Sequence, residues 1–134
     1  MDVPALHQTA QILRYILTFQ LFLGGQARLT SALTPSLYRA AMAKARGTQK
    51  HLSFIPISDP VRHSNFIGAL MCAAGGMLCE GRTRLAGGCL AVSLTLAGVY
   101  TQHRMGISWG LPAVNTGLAG TVIYGELRDG RVVS

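Results

Sequence analysis

Two stretches of this chain, residues 85–102 and 105–125, contain no Asp, Glu, Lys or Arg. Each is long enough to cross a bilayer as a helix rising about 1.5 Å per residue. A short polar turn around His103 and Arg104 is held between them. Composition places the whole chain in the same class. Among 134 residues, 49% are hydrophobic and 13% charged, with a mean hydropathy of +0.34, which is unusual for a soluble domain of one-domain length.

The formal charge of +7 raises the question of nucleic acid. Lys and Arg lie between and beside the apolar runs rather than on one dense face, so interfacial anchoring accounts for them and no nucleic-acid partner is expected. Cys72, Cys79 and Cys89 all fall inside apolar runs without a Cys-x-x-Cys spacing, which argues against a disulfide framework or a metal motif. The N-terminus has Asp2 and no Lys or Arg before Arg14, so it lacks the basic region of a signal peptide and the first segment is expected to be retained.

Taken in order, residues 5–27 read as a helix. His7, Gln11, Arg14, Thr18 and Gly25 recur at helical spacings on one stripe, with Leu13, Ile16, Phe19 and Leu23 opposite. Such a helix turns its polar stripe toward a bundle interior and its apolar face toward lipid; the alternative is a helix lying on the membrane surface. Arg14 is expected to pair with Glu80. Residues 31–59 form the longest polar stretch. Thr34 and Pro35 start a short interfacial helix over 36–45, with Leu37, Ala40 and Ala41 on one side, and Arg46 and Gly47 stop it. An irregular link over 51–58 follows, and the region reads as a solvated loop with basic anchors in preference to a lid.

Asp59 and Pro60 then supply a preferred N-cap and first helical residue for a span over 60–79. Thr83 caps the next, over 84–103, and the connection is so short that the two must be antiparallel neighbours. Ser108 caps a last helix, with Pro112 in its first turn, running to Tyr124 or Glu126. Three small-residue rows at four-residue spacing (Gly68, Cys72, Gly76; Gly87, Ala91, Thr95; Ala113, Gly117, Thr121) would let helices approach closely in lipid. The expected fold is all-α: a single domain over 1–134, an integral membrane four-helix bundle with spans about 8–28, 60–79, 84–103 and 108–126.

Connectivity alone then gathers the chemistry at one end of the bundle. Asp59, His63 and Asn65 come from one helix start, Tyr100, Gln102, His103 and Arg104 from a helix end, and Trp109 and Asn115 from the last helix. Both histidines sit at an apolar boundary, and imidazole is the side chain suited to acid–base work near neutral pH; Asp59, four residues before His63, shares its helix face and is expected to orient it or share a site with it. Asn115 suits polarising a carbonyl or bonding a neighbouring helix. The other readings are interfacial anchors for Arg104 and an aromatic belt for Trp109. No Ser-His-Asp spacing, phosphate loop or dinucleotide fingerprint is present, and no cofactor or metal is expected.

The succession His63, Ser64, Asn65, Phe66, Ile67, Gly68, then residues 82–88, then Tyr100, Thr101, Gln102, His103, Arg104, Met105, Gly106, and finally Leu111, Pro112, Ala113, Val114, Asn115 resembles the DoxX-like family of small four-helix membrane proteins, particularly its fungal members. The similarity covers roughly residues 10–125. It implies a small helical bundle, a lipophilic substrate, and company with a quinone-linked oxidase or a natural-product pathway. It carries over no catalytic residue, and an acidic residue inside the second span has no counterpart here, with only Glu80 at its end.

Two functions are therefore expected. One is an enzyme acting on a lipophilic small molecule of polyketide, terpenoid or quinone type by acid–base cyclisation, isomerisation or dehydration. Asp59, His63, His103, Arg104 and Asn115 would be catalytic, and Asn65, Gln102, Trp109 and Tyr100 would bind substrate. The other is a non-catalytic membrane subunit or scaffold for a partner oxidoreductase, alone or as a homo-oligomer. Both place the chain among membrane lipids, in the endoplasmic reticulum or another endomembrane if the source is eukaryotic. Cations at the polar end outnumber Arg82, Arg84, Arg128 and Arg131 at the other, which favours termini outside or lumenal.

Overall fold

The computed structural model describes residues 3–128, with side chains from Gln8 onward. Asp2, Arg131 and the side chain of His7 lie outside the described residues. The described chain is helical throughout: α1 (Val3–Leu29), α2 (Pro35–His51), α3 (Pro60–Cys79), α4 (Arg84–Arg104) and α5 (Gly110–Arg128), with no strand among the described residues.

Side-chain contacts fix an up-down ring. Arg28 meets Ser64, Gly25 meets Gly68 and Cys72, and Phe22 meets Gly75, so α1 and α3 run antiparallel. Gly87 packs on Met77, Gly88 on Ile123, and Gly98 on Pro112, which sets α3 against α4 and α4 against α5 in the same manner. Contact between α1 and α5 closes the ring. Leu17, Leu21, Ala74, Leu78, Ala91, Ala119 and Val122, drawn from all four helices, form its core.

The tightest crossing belongs to α1 and α3. A Cβ placed on Gly25 would lie 2.6 Å from Cys72 Sγ and 2.8 Å from the Gly68 carbonyl, while one on Gly68 would lie 2.8 Å from the Gly25 carbonyl. Only hydrogen at both positions permits that separation. Of the three small-residue rows, Gly87, Ala91 and Thr95 turn inward as a set, whereas Gly76, Gly117 and Thr121 face outward. In the α4–α5 seam Thr116 donates to Thr95 Oγ1 (2.9 Å), and Thr95 donates to the Ala91 carbonyl (2.8 Å).

Three expectations change. First, α2 runs through Gly47 to His51 instead of stopping, because Gly47 is where Met105 packs against it, and a larger residue would clash there. Its inward face is Ala41, Ala45 and Thr48, while Leu37 and Ala40 are exposed. Second, Glu80 does not pair with Arg14. It is exposed and accepts from the Arg82 backbone N–H (3.2 Å), while the buried carboxylate at that end, Glu126, pairs with Arg84 (3.2 Å). The Arg14 guanidinium lies over the Tyr15 ring, 4.8 Å from its centroid. Third, among the described residues only α4 is long and apolar enough by itself to cross a membrane. The reason is compositional: α3 opens with Arg62, His63 and Asn65, α1 carries Arg14 and four glutamines, and α5 is rich in glycine, which adds little apolar surface.

Candidate functional site at the polar end of the bundle

The end holding the α1 C-terminus, α2, the α3 N-terminus and the α4–α5 turn is built by three local devices. Asp59 caps α3, its Oδ1 accepting from the Val61 N–H at 2.9 Å, with Pro60 following. Gly106, at φ 73°, ends α4 in a Schellman arrangement: Ile107 N–H bonds the Gln102 carbonyl (3.0 Å) and Gly106 N–H that of His103 (3.1 Å). Thr34 begins α2 while its hydroxyl accepts from Gln26 Nε2 (2.6 Å), tying α1 to the α2 start.

These devices separate the expected residues into two groups. His63 is fully buried, and its Nε2 lies 3.1 Å from the Leu52 carbonyl, so Nε2 carries the proton and donates. Its Nδ1 has no partner. Asp59 is occupied as a helix cap, so the expected orientation of His63 by Asp59 through their side chains does not occur; the link is backbone, from His63 N–H to the Asp59 carbonyl (2.9 Å). The second group lies at the surface. His103 and Trp109, both exposed, meet edge to face with ring centroids 6.3 Å apart, and Arg104 is exposed beside them. Tyr100, also exposed, meets His51 in the same geometry at 6.4 Å. Asn65 and Gln102 are partly buried, and Asn115 is partly buried with its Oδ1 enclosed and unpartnered.

The structure thus joins His103 to Trp109 and Tyr100 to His51, and places His63 in the interior away from solvent. It also brings in residues that sequence reading took only as anchors or passed over. Arg28 Nη1 donates to the Ser64 hydroxyl at 3.1 Å, and Ser64 is fully buried. Lys44, partly buried on α2, is held below the ordinary lysine range by desolvation first and by the charge of Arg28 second. Arg28 and Ser64 stand thirty-six residues apart, and no local pattern marks them as partners. His51 lay in what read as an irregular link and is the last residue of α2.

Among the described residues no group of three His, Cys, Asp or Glu is arranged to hold a metal ion. What the arrangement can do is bounded by these facts. Two imidazoles, the exposed His103 and the half-buried His51, are packed on aromatic edges at the bundle end. An enclosed imidazole bonded to backbone braces a helix start. Comparison with family models, with curated proteins and with solved structures finds no match.

Proposed function

We propose that this chain is an integral membrane four-helix bundle of DoxX-like type that serves as a non-catalytic subunit or scaffold, holding a partner oxidoreductase at its polar end. The observation that carries the membrane half of this reading is α1, where large aromatic side chains face outward while two polar ones lie buried beside the core residues Leu17 and Leu21. Arg14 and Thr18 are buried at 9% and 8% exposure, while Phe19 and Tyr15 stand out at 66% and 60%. Large apolar side chains on the outside of every spanning helix, among them Phe66, Leu96, Val114 and Leu127, suit lipid as the surrounding medium. The expected location is an endomembrane. Alkaline carbonate should leave the protein in the membrane pellet; release into the supernatant overturns the reading.

The scaffold half rests on two features. Asp59 Oδ1 caps α3, so among the described residues no His–carboxylate pair is formed at the polar end, and the exposed face of α2 presents Arg39, Arg46 and Lys50. Charge reversal at those three positions should break a complex recovered from the native membrane, and co-purification that survives them counts against it. A second reading, an acid–base enzyme for a lipophilic small molecule, is favoured by one observation: His103 and His51 are each packed on an aromatic edge at the same end. In that reading His103 is the proton carrier, Arg104 and Asn115 assist, Tyr100 and Trp109 contact the substrate, and Asn65 and Gln102 line its approach. His103→Ala should then abolish turnover while the fold persists; unchanged turnover removes this reading.

A further inference from the structure

We propose that the cleft between α1 and the turn leading to α2 is a binding site for a small apolar alcohol or phenol, whose hydroxyl donates to Gln26 Oε1. Phe19, Phe22, Leu23 and Gln26 follow one another at helical spacings, so they form one stripe of α1, and Leu33 and Thr34 of the turn complete an open cleft of about 210 Å³. The Phe22 ring is backed by α3, since a Cβ added to Gly75 would lie 3.2 Å from it. None of the six residues is charged, so an ionised ligand would lose its hydration there without a partner.

The polar groups of the lining are the Gln26 amide and the Thr34 hydroxyl, and they are bonded to each other. Gln26 Nε2 donates to the Leu23 carbonyl (2.8 Å) and to Thr34 Oγ1 (2.6 Å). A backbone carbonyl only accepts, so the amide end facing it is the nitrogen, and both of its hydrogens are used. The other end, Oε1, is enclosed and has no donor. An enclosed acceptor left without a donor is unfavourable, and a ligand that brings an O–H relieves it. Leu33, 75% exposed on the turn, can rotate aside to admit that hydroxyl, whereas Phe22 is packed on α3. Thr34 keeps its own O–H, which can donate to the ligand oxygen in return. A hydroxyl both donates and accepts and so matches the pair; a ketone or an ether cannot donate. Size agrees with a small body: benzene occupies a cavity of about 150 Å³, so this cleft takes about eight non-hydrogen atoms, or the hydroxyl end of a longer molecule. Phe19 and Phe22 offer aromatic faces or edges to a ring.

The test is equilibrium dialysis of the full chain in phosphatidylcholine discs, with empty discs as the blank for partition into lipid. The probes are p-cresol and p-methylanisole, which share a body and differ in the hydroxyl hydrogen. Gln26→Met keeps the length of the side chain and removes the acceptor, and Leu96→Ala on the outer face of α4 is the control. Saturable uptake of p-cresol about tenfold tighter than that of p-methylanisole, with the preference lost in Gln26→Met and kept in Leu96→Ala, supports the site. Equal uptake of the two probes shows an apolar cleft without recognition and overturns the proposal. So does a preference that persists in Gln26→Met, or no saturable uptake at all. If Gln26→Met does not fold, Leu33→Ala decides: loss of that wall should weaken both probes, and unchanged uptake puts them elsewhere and overturns the site. The cleft does not rest on the membrane reading, because a chain that stays dispersed without lipid is dialysed in buffer and the same outcomes apply.

Discussion

His63 shows how one side chain can be decisive for the fold while looking like a catalyst in the sequence. Its Nε2–H satisfies the Leu52 carbonyl just beyond α2, so the imidazole joins the end of that helix to the start of α3. His63→Ala should lower stability by about 2–4 kcal/mol, from the cavity and the stranded carbonyl together. His63→Gln, whose amide can still donate, should recover part of it. Thermal unfolding of the purified protein checks both, and an unchanged transition in His63→Ala shows that the bond contributes nothing. Lys44 gives a second residue-scale expectation. Its folded-state pKa is depressed by burial and by Arg28, so between that value and the ordinary 10.5 the unfolded chain binds more protons than the native one. Stability relative to Lys44→Met therefore rises with pH across that window and levels off above it. A difference that stays flat or falls with pH in unfolding experiments contradicts the buried placement of Lys44.

At the scale of elements, α1 explains both what could be read in advance and what could not. Of the helical stripe His7, Gln11, Arg14, Thr18 and Gly25, the members Arg14, Thr18 and Gly25 are buried but Gln11 is exposed and the His7 side chain lies outside the described residues; opposite, Ile16 and Phe19 are exposed and Leu13 and Leu23 half-buried. The start of α3 was equally legible, since Asp59–Pro60 is a local signal with a local consequence; α4 begins after Thr83 as expected, but Thr83 makes no side-chain cap and its hydroxyl donates to the Met77 carbonyl at the end of α3 (2.9 Å). Gly47 was misread because glycine ends a helix and also admits a neighbour, and only Met105, distant in sequence, decides between the two. The same limit applies at the polar end. Its membership followed from connectivity, but its pairings depend on packing between distant segments: Arg28 with Ser64 on how α1 crosses α3, and His51 with Tyr100 on how α2 lies across the bundle. The Gly25–Gly68 crossing turns this into a prediction. Gly25→Val must push α1 from α3 and should cost at least about 1–3 kcal/mol, whereas Gly117→Val, where no atom lies within 4 Å, should cost far less. Equal losses in the two variants, compared by thermal unfolding, would contradict the close approach.

The whole molecule is asymmetric in charge. Arg28, Arg39, Lys44, Arg46, Lys50, Arg62 and Arg104 gather at the α2 end, while the described residues of the other end offer Arg82, Arg84 and Arg128 beside Glu80 and Glu126. Within that lesser set Arg84 is neutralised by Glu126 at 3.2 Å, with side-chain exposures of 12% and 8%, so its charge is largely withdrawn from the interface. On the membrane reading proposed above, the rule that flanking Lys and Arg stay on the cytoplasmic side predicts the α2 end in the cytoplasm and both ends of the described chain in the lumen or exterior. Two thiols test this in sealed microsomes. Cys79 is exposed at the end opposite α2, and Ser53, exposed in the link after α2, can be replaced as Ser53→Cys in a chain whose other cysteines are serine. A membrane-impermeant maleimide should label the position-53 thiol in intact vesicles and reach Cys79 only after permeabilisation. The reverse pattern would show that the cations at the α2 end do not set the orientation. Labelling of both thiols in intact vesicles would mean that α3 does not separate its two ends by a bilayer, and the molecule would then lie on the membrane with its apolar exterior covered by something other than lipid.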